Sequence, residues 1–189
     1  MTNVAITTVA DAQRDMREAY YGGAPGMFAS AMVWGAAGVV ALNFSPTRAI
    51  TTLFIGGMFI HPIGVVIAKL LGRQGAHATG NPLGALALET TVLLLLGFPL
   101  AYGMYSANTL WFFPAMLLVI GGRYFTFATL YGLRVYWVCG GLLAVVGMIL
   151  VAQRAPFFVG AFAGSAIELV FAARLFAVMR ADTDVDARV

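Results

Sequence analysis

The sequence predicts an all-α fold: a polytopic bundle of six transmembrane helices, preceded by a short N-terminal surface helix. Three observations carry this reading. Of the 189 residues, 61% are hydrophobic and only 10% charged, and the mean hydropathy is +0.88. A soluble domain has about a quarter of its residues charged, so this chain cannot build a polar exterior and its outer surface must face lipid. The apolar residues also fall into six runs long enough to cross a bilayer, separated by short stretches rich in Gly, Pro, Asn and Arg. Finally, the basic residues behind the net charge of +3 lie between those runs. That is how a multi-pass membrane protein distributes charge, and it forms no patch for nucleic acid.

Residues 1–22 read as a surface segment, 23–179 as the six-helix domain and 180–189 as a disordered polar tail. The first twenty residues lack the basic start and apolar middle of a signal peptide, so the first span is expected to be its own insertion signal. Thr8-Val-Ala-Asp11 resembles a capping box with Asp in place of Glu. Behind it Val9, Ala12, Met16 and Ala19 or Tyr20 make a thin apolar stripe, which suits a helix lying at the membrane interface, though a frayed tail explains so weak a stripe almost as well. Gly22-Gly23 breaks that helix, and Pro25 suits a first helical turn.

The first span runs from Pro25 to Leu42, rich in Gly and Ala around Trp34. Asn43-Phe-Ser-Pro46 turns the chain into a second span, Thr47 to Leu71, where Pro62 is expected to kink the helix beside His61. The loop Gly72 to Asn81 matches no nucleotide-binding pattern. Asn81-Pro82 reads as an N-cap and first helical residue for the third span, Pro82 to Tyr102. A helix start beside Lys69, Arg73 and His77 is a candidate contact for a lipid phosphate, though snorkelling cations on an ordinary turn explain it as well. The fourth span is Phe113 to Tyr131. The fifth follows Gly132-Leu-Arg134 and reaches Gln153, and the sixth runs from Pro156 to Met179. Gly160-x-x-x-Gly164 in the sixth predicts close packing on another helix, closer than at Gly97 in the third.

The chemistry rests on four residues inside the spans: His61, Glu89, Arg123 and Glu168. A guanidinium cannot lose its charge and costs about 3 kcal/mol in hydrocarbon, so Arg123 must find acceptors or water. Counting from the turn at Ser106 puts Glu89 and Arg123 at equal depth on consecutive spans, so Arg123 is expected to pair first with Glu89. Glu89 in Ala87-Leu-Glu89 and Glu168 in Ala166-Ile-Glu168 hold matching places in the third and sixth spans, a hint of two inverted three-helix halves. The lone Cys139 excludes an intrachain disulfide and a thiolate metal site. With two histidines, no His-Glu-x-x-His and no Gly-x-Ser-x-Gly, neither a metal site, a cofactor nor a catalytic residue is assigned. Ser165 with His61 is the lone candidate for a serine–histidine pair.

Ile55-Gly-Gly-Met-Phe-Ile-His-Pro62, Gly80-Asn-Pro-Leu-Gly84 and Phe113-Pro-Ala-Met-Leu-Leu-Val-Ile-Gly-Gly-Arg-Tyr124 together resemble a family of small multi-helix bacterial inner-membrane proteins of unknown function. The resemblance covers roughly Gly23 to Phe176. It implies a bacterial inner-membrane location and brings no activity or catalytic residue.

Four functions stay open at this point. The polar cluster can be a transport pocket open to the cytoplasm, or a buried pair that sets helix register. The chain can be a partner subunit or homo-oligomer, for which its glycine faces speak, or a membrane enzyme acting on lipid. Arg14, Arg17, Lys69, Arg73, Arg134, Arg180 and Arg188 fall on one side of the bilayer with Arg174 snorkelling toward it, and Arg48 and Arg154 on the other. The positive-inside rule therefore predicts cytoplasmic termini.

Overall fold

The computed structural model describes residues 6–186. Helix α1 (Val9–Tyr20) and a 3-10 turn (Tyr21–Gly23) precede α2 (Ala24–Asn43), α3 (Pro46–Leu70) and α4 (Leu83–Ala107). A second 3-10 turn (Thr109–Trp111) leads to α5 (Phe112–Tyr131), α6 (Val135–Ala152) and α7 (Phe157–Asp186). Six helices are long and apolar enough to cross a membrane: α2, which α1 leads into, and α3 to α7. No strand occurs among the described residues. The protein is a multi-pass membrane bundle. The outward faces of its helices are largely apolar, with Leu93 62% and Leu100 71% exposed on α4, which suits a hydrocarbon solvent.

Close backbone contact holds the bundle together. Lipid tails are as apolar as leucine, so helix association in a bilayer rests on dispersion and hydrogen bonds, and small residues allow the approach. A Cβ at Gly164 of α7 would come 2.7 Å from Trp34 Cε3 of α2, and one at Gly160 would come 2.6 Å from Phe113 Cβ of α5. On α5, a Cβ at Gly121 would meet the Gly140 carbonyl of α6 at 2.7 Å. The expected tight face around Gly160 and Gly164 is therefore present. The expected contrast with Gly97 is not, because a Cβ there would come 2.5 Å from Val119 Cγ1 of α5.

The packing order carries a symmetry. The main partner of α2 is α7, followed by α3; α5 packs on α6 and α4. Each three-helix half thus lends its third helix to the first helix of the other half, as an inverted repeat would.

Helix α3 is continuous through Pro62. Two local expectations change. The last helix does not stop at Met179 but continues to Asp186, since Arg180-Ala-Asp-Thr-Asp-Val-Asp186 contains neither Gly nor Pro to end it; residues 187–189 lie outside the described residues. And α1 is bound to protein. Its capping box forms, with Asp11 N–H donating to Thr8 Oγ1 at 3.1 Å and Thr8 N–H to Asp11 Oδ2 at 3.0 Å. Ala12, Met16 and Ala19 are buried, while Val9 is exposed. Gln13 Nε2 donates to the Thr129 carbonyl at 2.7 Å and Arg17 Nη1 to the Tyr131 carbonyl at 2.6 Å. Those carbonyls belong to the last turn of α5 and have no partner within their own helix. Asp15 accepts from Ala78 N–H at 3.0 Å and Asn81 Nδ2 at 2.6 Å, and Gly75 N–H donates to the Ala19 carbonyl at 3.0 Å. Helix α1 therefore closes one end of the bundle and ties the 72–82 loop to it.

Gly164→Leu should lower the thermal stability of the detergent-solubilised protein by several degrees, since overpacking costs about 1–3 kcal/mol. Gly103→Leu is the matched control, because a Cβ at Gly103 meets nothing, and its melting temperature should stay near wild type. Equal melting temperatures would refute the packing account.

Candidate functional site

Gly160 and Gly164 let α7 sink against α2 and α5, and one turn after Gly164 this buries Glu168 at 0% exposure. Eleven residues from the start of α7 at Phe157, Glu168 lies about 16 Å along the helix, near the middle of the bilayer. Tyr124 of α5 donates its hydroxyl to Glu168 Oε1 at 2.6 Å. Ser30 of α2 sits beside the carboxyl, yet Oε2 is buried with no hydrogen-bond partner. Three residues earlier, the Ser165 hydroxyl donates to the Ala31 carbonyl at 2.8 Å and fixes α7 to α2. That contact occupies Ser165, so it makes no pair with His61.

Tyr124 is itself held in place. Its ring stacks on Tyr136 of α6 at 5.7 Å between centroids, Tyr136 stacks on Tyr131 at 5.5 Å, and the Tyr136 hydroxyl donates to the Gly22 carbonyl at 2.7 Å. Gly23, in the left-handed region at φ 82°, lies so close to Tyr136 and Tyr131 that no side chain fits there. An aromatic column thus runs from the buried carboxyl to the turn between α1 and α2.

Arg123 is half-buried on α5. Its Nη2 donates to Thr91 Oγ1 of α4 at 3.1 Å, its guanidinium lies 5.0 Å from the centre of the Phe127 ring, and its Nε is buried without a partner. It stands close enough to Glu168 for the two charges to interact, without forming an ion pair.

The structure brings together two of the four residues expected to cluster, Arg123 and Glu168. Glu89 is exposed on α4, and His61 is exposed on α3 with its ring 6.3 Å from that of Tyr20. Arg123 therefore does not pair with Glu89. The depth argument found the right level and the wrong face: Thr91, which Arg123 does reach, is two residues on and about 200° round the helix from Glu89. Of the lipid-phosphate candidates, His77 turns inward, with Nδ1 3.0 Å from the Tyr20 hydroxyl. Arg73 lies over the Tyr21 ring at 5.1 Å, and Lys69 is exposed. Asn81 Oδ1 accepts from Leu83 N–H at 2.9 Å at the start of α4, which begins at Leu83 with Pro82 in the cap position, one residue later than expected.

Among the described residues, no three His, Cys, Asp or Glu side chains stand close enough to hold a metal ion. A surface groove of about 410 Å³ lies at the end away from α1, lined by Val40, Phe44 and Arg48, and does not include Glu168.

This arrangement can be set beside known families. A family model matches residues 9–178. The chain belongs to DUF7010, a family of unknown function. The match starts at the first residue of α1, so the DUF7010 unit includes the helix that closes the bundle. No curated protein matches the chain, and no solved structure does.

Sequence reasoning missed Tyr124, Ser30 and Thr91. Tyr124 left a signal: a tyrosine beside Arg123 in a buried run must find a partner for its hydroxyl. Tyr124→Phe and Glu168→Gln should each cost about 1–3 kcal/mol of stability, and the double variant clearly less than their sum. Glu89→Gln and Arg123→Gln should instead add to within about 0.5 kcal/mol. Chemical or thermal unfolding of the wild type and the six variants measures both cycles.

Proposed function

We propose that this DUF7010 protein is a small transporter of the bacterial inner membrane, in which Glu168 binds and releases a proton or a monovalent cation. The observation that carries the reading is the bare Oε2 of a fully buried carboxyl at mid-membrane depth. Leaving a buried acceptor unsatisfied costs about 1–3 kcal/mol, more for a charged group. A carboxyl kept only to lock two helices would use both oxygens. One kept to exchange a cation leaves an oxygen for it. Arg123, near but not bonded to Glu168, balances charge without occupying the carboxyl. Exchange of third helices between the two halves supports the same reading, because inverted repeats place substrate sites near the midplane, where they rock about a fixed centre.

Both termini are cytoplasmic in this proposal, by the positive-inside rule. Access to Glu168 then runs from the cytoplasmic end, along the aromatic column and past α1. Reporter fusions after Ser106 should read outside and C-terminal fusions inside; identical readings would overturn the topology.

The functional test uses proteoliposomes loaded with a pH-sensitive dye, with a potassium diffusion potential set by valinomycin. Wild-type protein should carry protons, or sodium in a parallel tracer assay, above the rate of empty liposomes. Glu168→Gln should reduce that flux to background while the protein remains folded at the assay temperature, and Glu89→Gln should leave it intact. Absence of protein-dependent flux of either ion, or flux that survives Glu168→Gln, would refute the proposal.

A further inference from the structure

Charged side chains within membrane spans almost always face the bundle interior or water. Glu89 breaks this pattern. At about 100° per residue it shares one line on α4 with Leu93, Leu96 and Leu100, the centre of the outward face. Among the described residues Glu89 has neither an ion pair nor a side-chain hydrogen bond. It lies six residues, about 9 Å, inside the helix start at Leu83.

Arg174 is its counterpart. It is exposed at the centre of the outward face of α7, among Val170, Ala173, Ala177 and Ala181, and likewise has no partner among the described residues. It lies seven residues, about 10 Å, from Ala181, where the apolar part of α7 ends. Both residues are near the α1 end of the bundle. The 72–82 loop tied to α1 leads directly into α4, and Met179 of α7 packs against Gly22. The helices run in opposite directions, so an antiparallel α4–α7 contact between two molecules sets Glu89 level with Arg174. The surfaces match in shape as well. On α4 the face is a ridge of leucines, and on α7 it is a shallow trough of alanines at four-residue spacing, which suits ridge-into-groove packing.

We propose that the outward face of α4 docks on the outward face of α7 in a second copy of this chain, with Glu89 and Arg174 as the specifying ion pair. In low dielectric such a pair is strongly attractive, and either charge alone on that face is costly. Because each molecule presents both faces, the contact is either heterologous and closes as a ring, or occurs twice in a two-fold pair. This inference stands apart from the transport reading, since neither Glu89 nor Arg174 touches Glu168.

The test measures self-association by single-molecule photobleaching in lipid nanodiscs or dilute vesicles. Wild-type protein should be oligomeric. Glu89→Arg and Arg174→Glu should each weaken association by at least about tenfold, and the double reversal should restore it. Leu93→Cys with Val170→Cys should cross-link between molecules, which also reports on the contact if a charge variant inserts poorly. A monomeric wild type, whether Arg174 snorkels in lipid or a different co-purifying chain covers the face, overturns the proposal. So does an oligomer indifferent to both single reversals.

Discussion

Hydrocarbon offers a protein no hydrogen-bond partner, and every feature of this bundle follows from that constraint. Backbone groups are satisfied inside helices, so the spans are helical. Because lipid gives helices no hydrophobic reason to associate, contact depends on how closely backbones approach. Glycines at 121 and 140 bring α5 onto α6, and those at 160 and 164 set α7 against α5 and α2. Helix ends face the same constraint. The last carbonyls of α5 are orphaned by geometry, and Gln13 and Arg17 of α1 supply their donors. An amphipathic helix that might have rested on lipid has become a part of the protein.

Against that background the buried carboxyl stands out as an incomplete account. Its environment is dense, with Tyr124, Ser30 and three helices around it. Dense packing would have made it easy to place an apolar residue of similar size, yet a carboxyl stands there, and the Ser30 hydroxyl beside it leaves Oε2 without a partner. Buried polar groups in native proteins are overwhelmingly bonded, and an exception calls for an explanation such as a role in chemistry or an ion that visits. The nearby guanidinium shares the pattern, with Nη2 bonded to Thr91 and Nε bare.

Much of this was legible in the sequence. Composition dictated the fold class, hydropathy the six spans, and Thr8 and Asp11 the start of α1. Gly160 and Gly164 announced a close contact. What a single sequence conveys poorly is azimuth. Span boundaries set depth to within a turn, and that placed Glu89 level with Arg123. Rotation about the helix axis depends on which neighbour a face meets, and the apolar runs are so uniform that no moment marks it. In α4, Leu and Val occupy every side of the helix, so the sequence could not show that Thr90 and Gly97 face inward and Glu89 outward. The destination of α1 was hidden for a different reason: its partners are backbone carbonyls of a distant helix, which carry no residue identity.

The two glutamates show how far local sequence and environment can part. Each follows an alanine and a branched apolar residue in the third helix of its half, Glu89 six residues and Glu168 eleven residues in from the helix start. One is fully buried and the other exposed. The difference lies one to two turns away. Helix α7 has Gly160 and Gly164 on the face leading to Glu168, so it settles against two helices at once. Helix α4 has Gly97 alone on its buried side and leans mainly on α5. A helix with one main neighbour keeps most of its circumference open, and a charge on that open side has only lipid or another molecule to meet. Near-symmetry in the chain thus produces two unlike carboxyls, one enclosed where an ion could be exchanged and one displayed where a partner could bind.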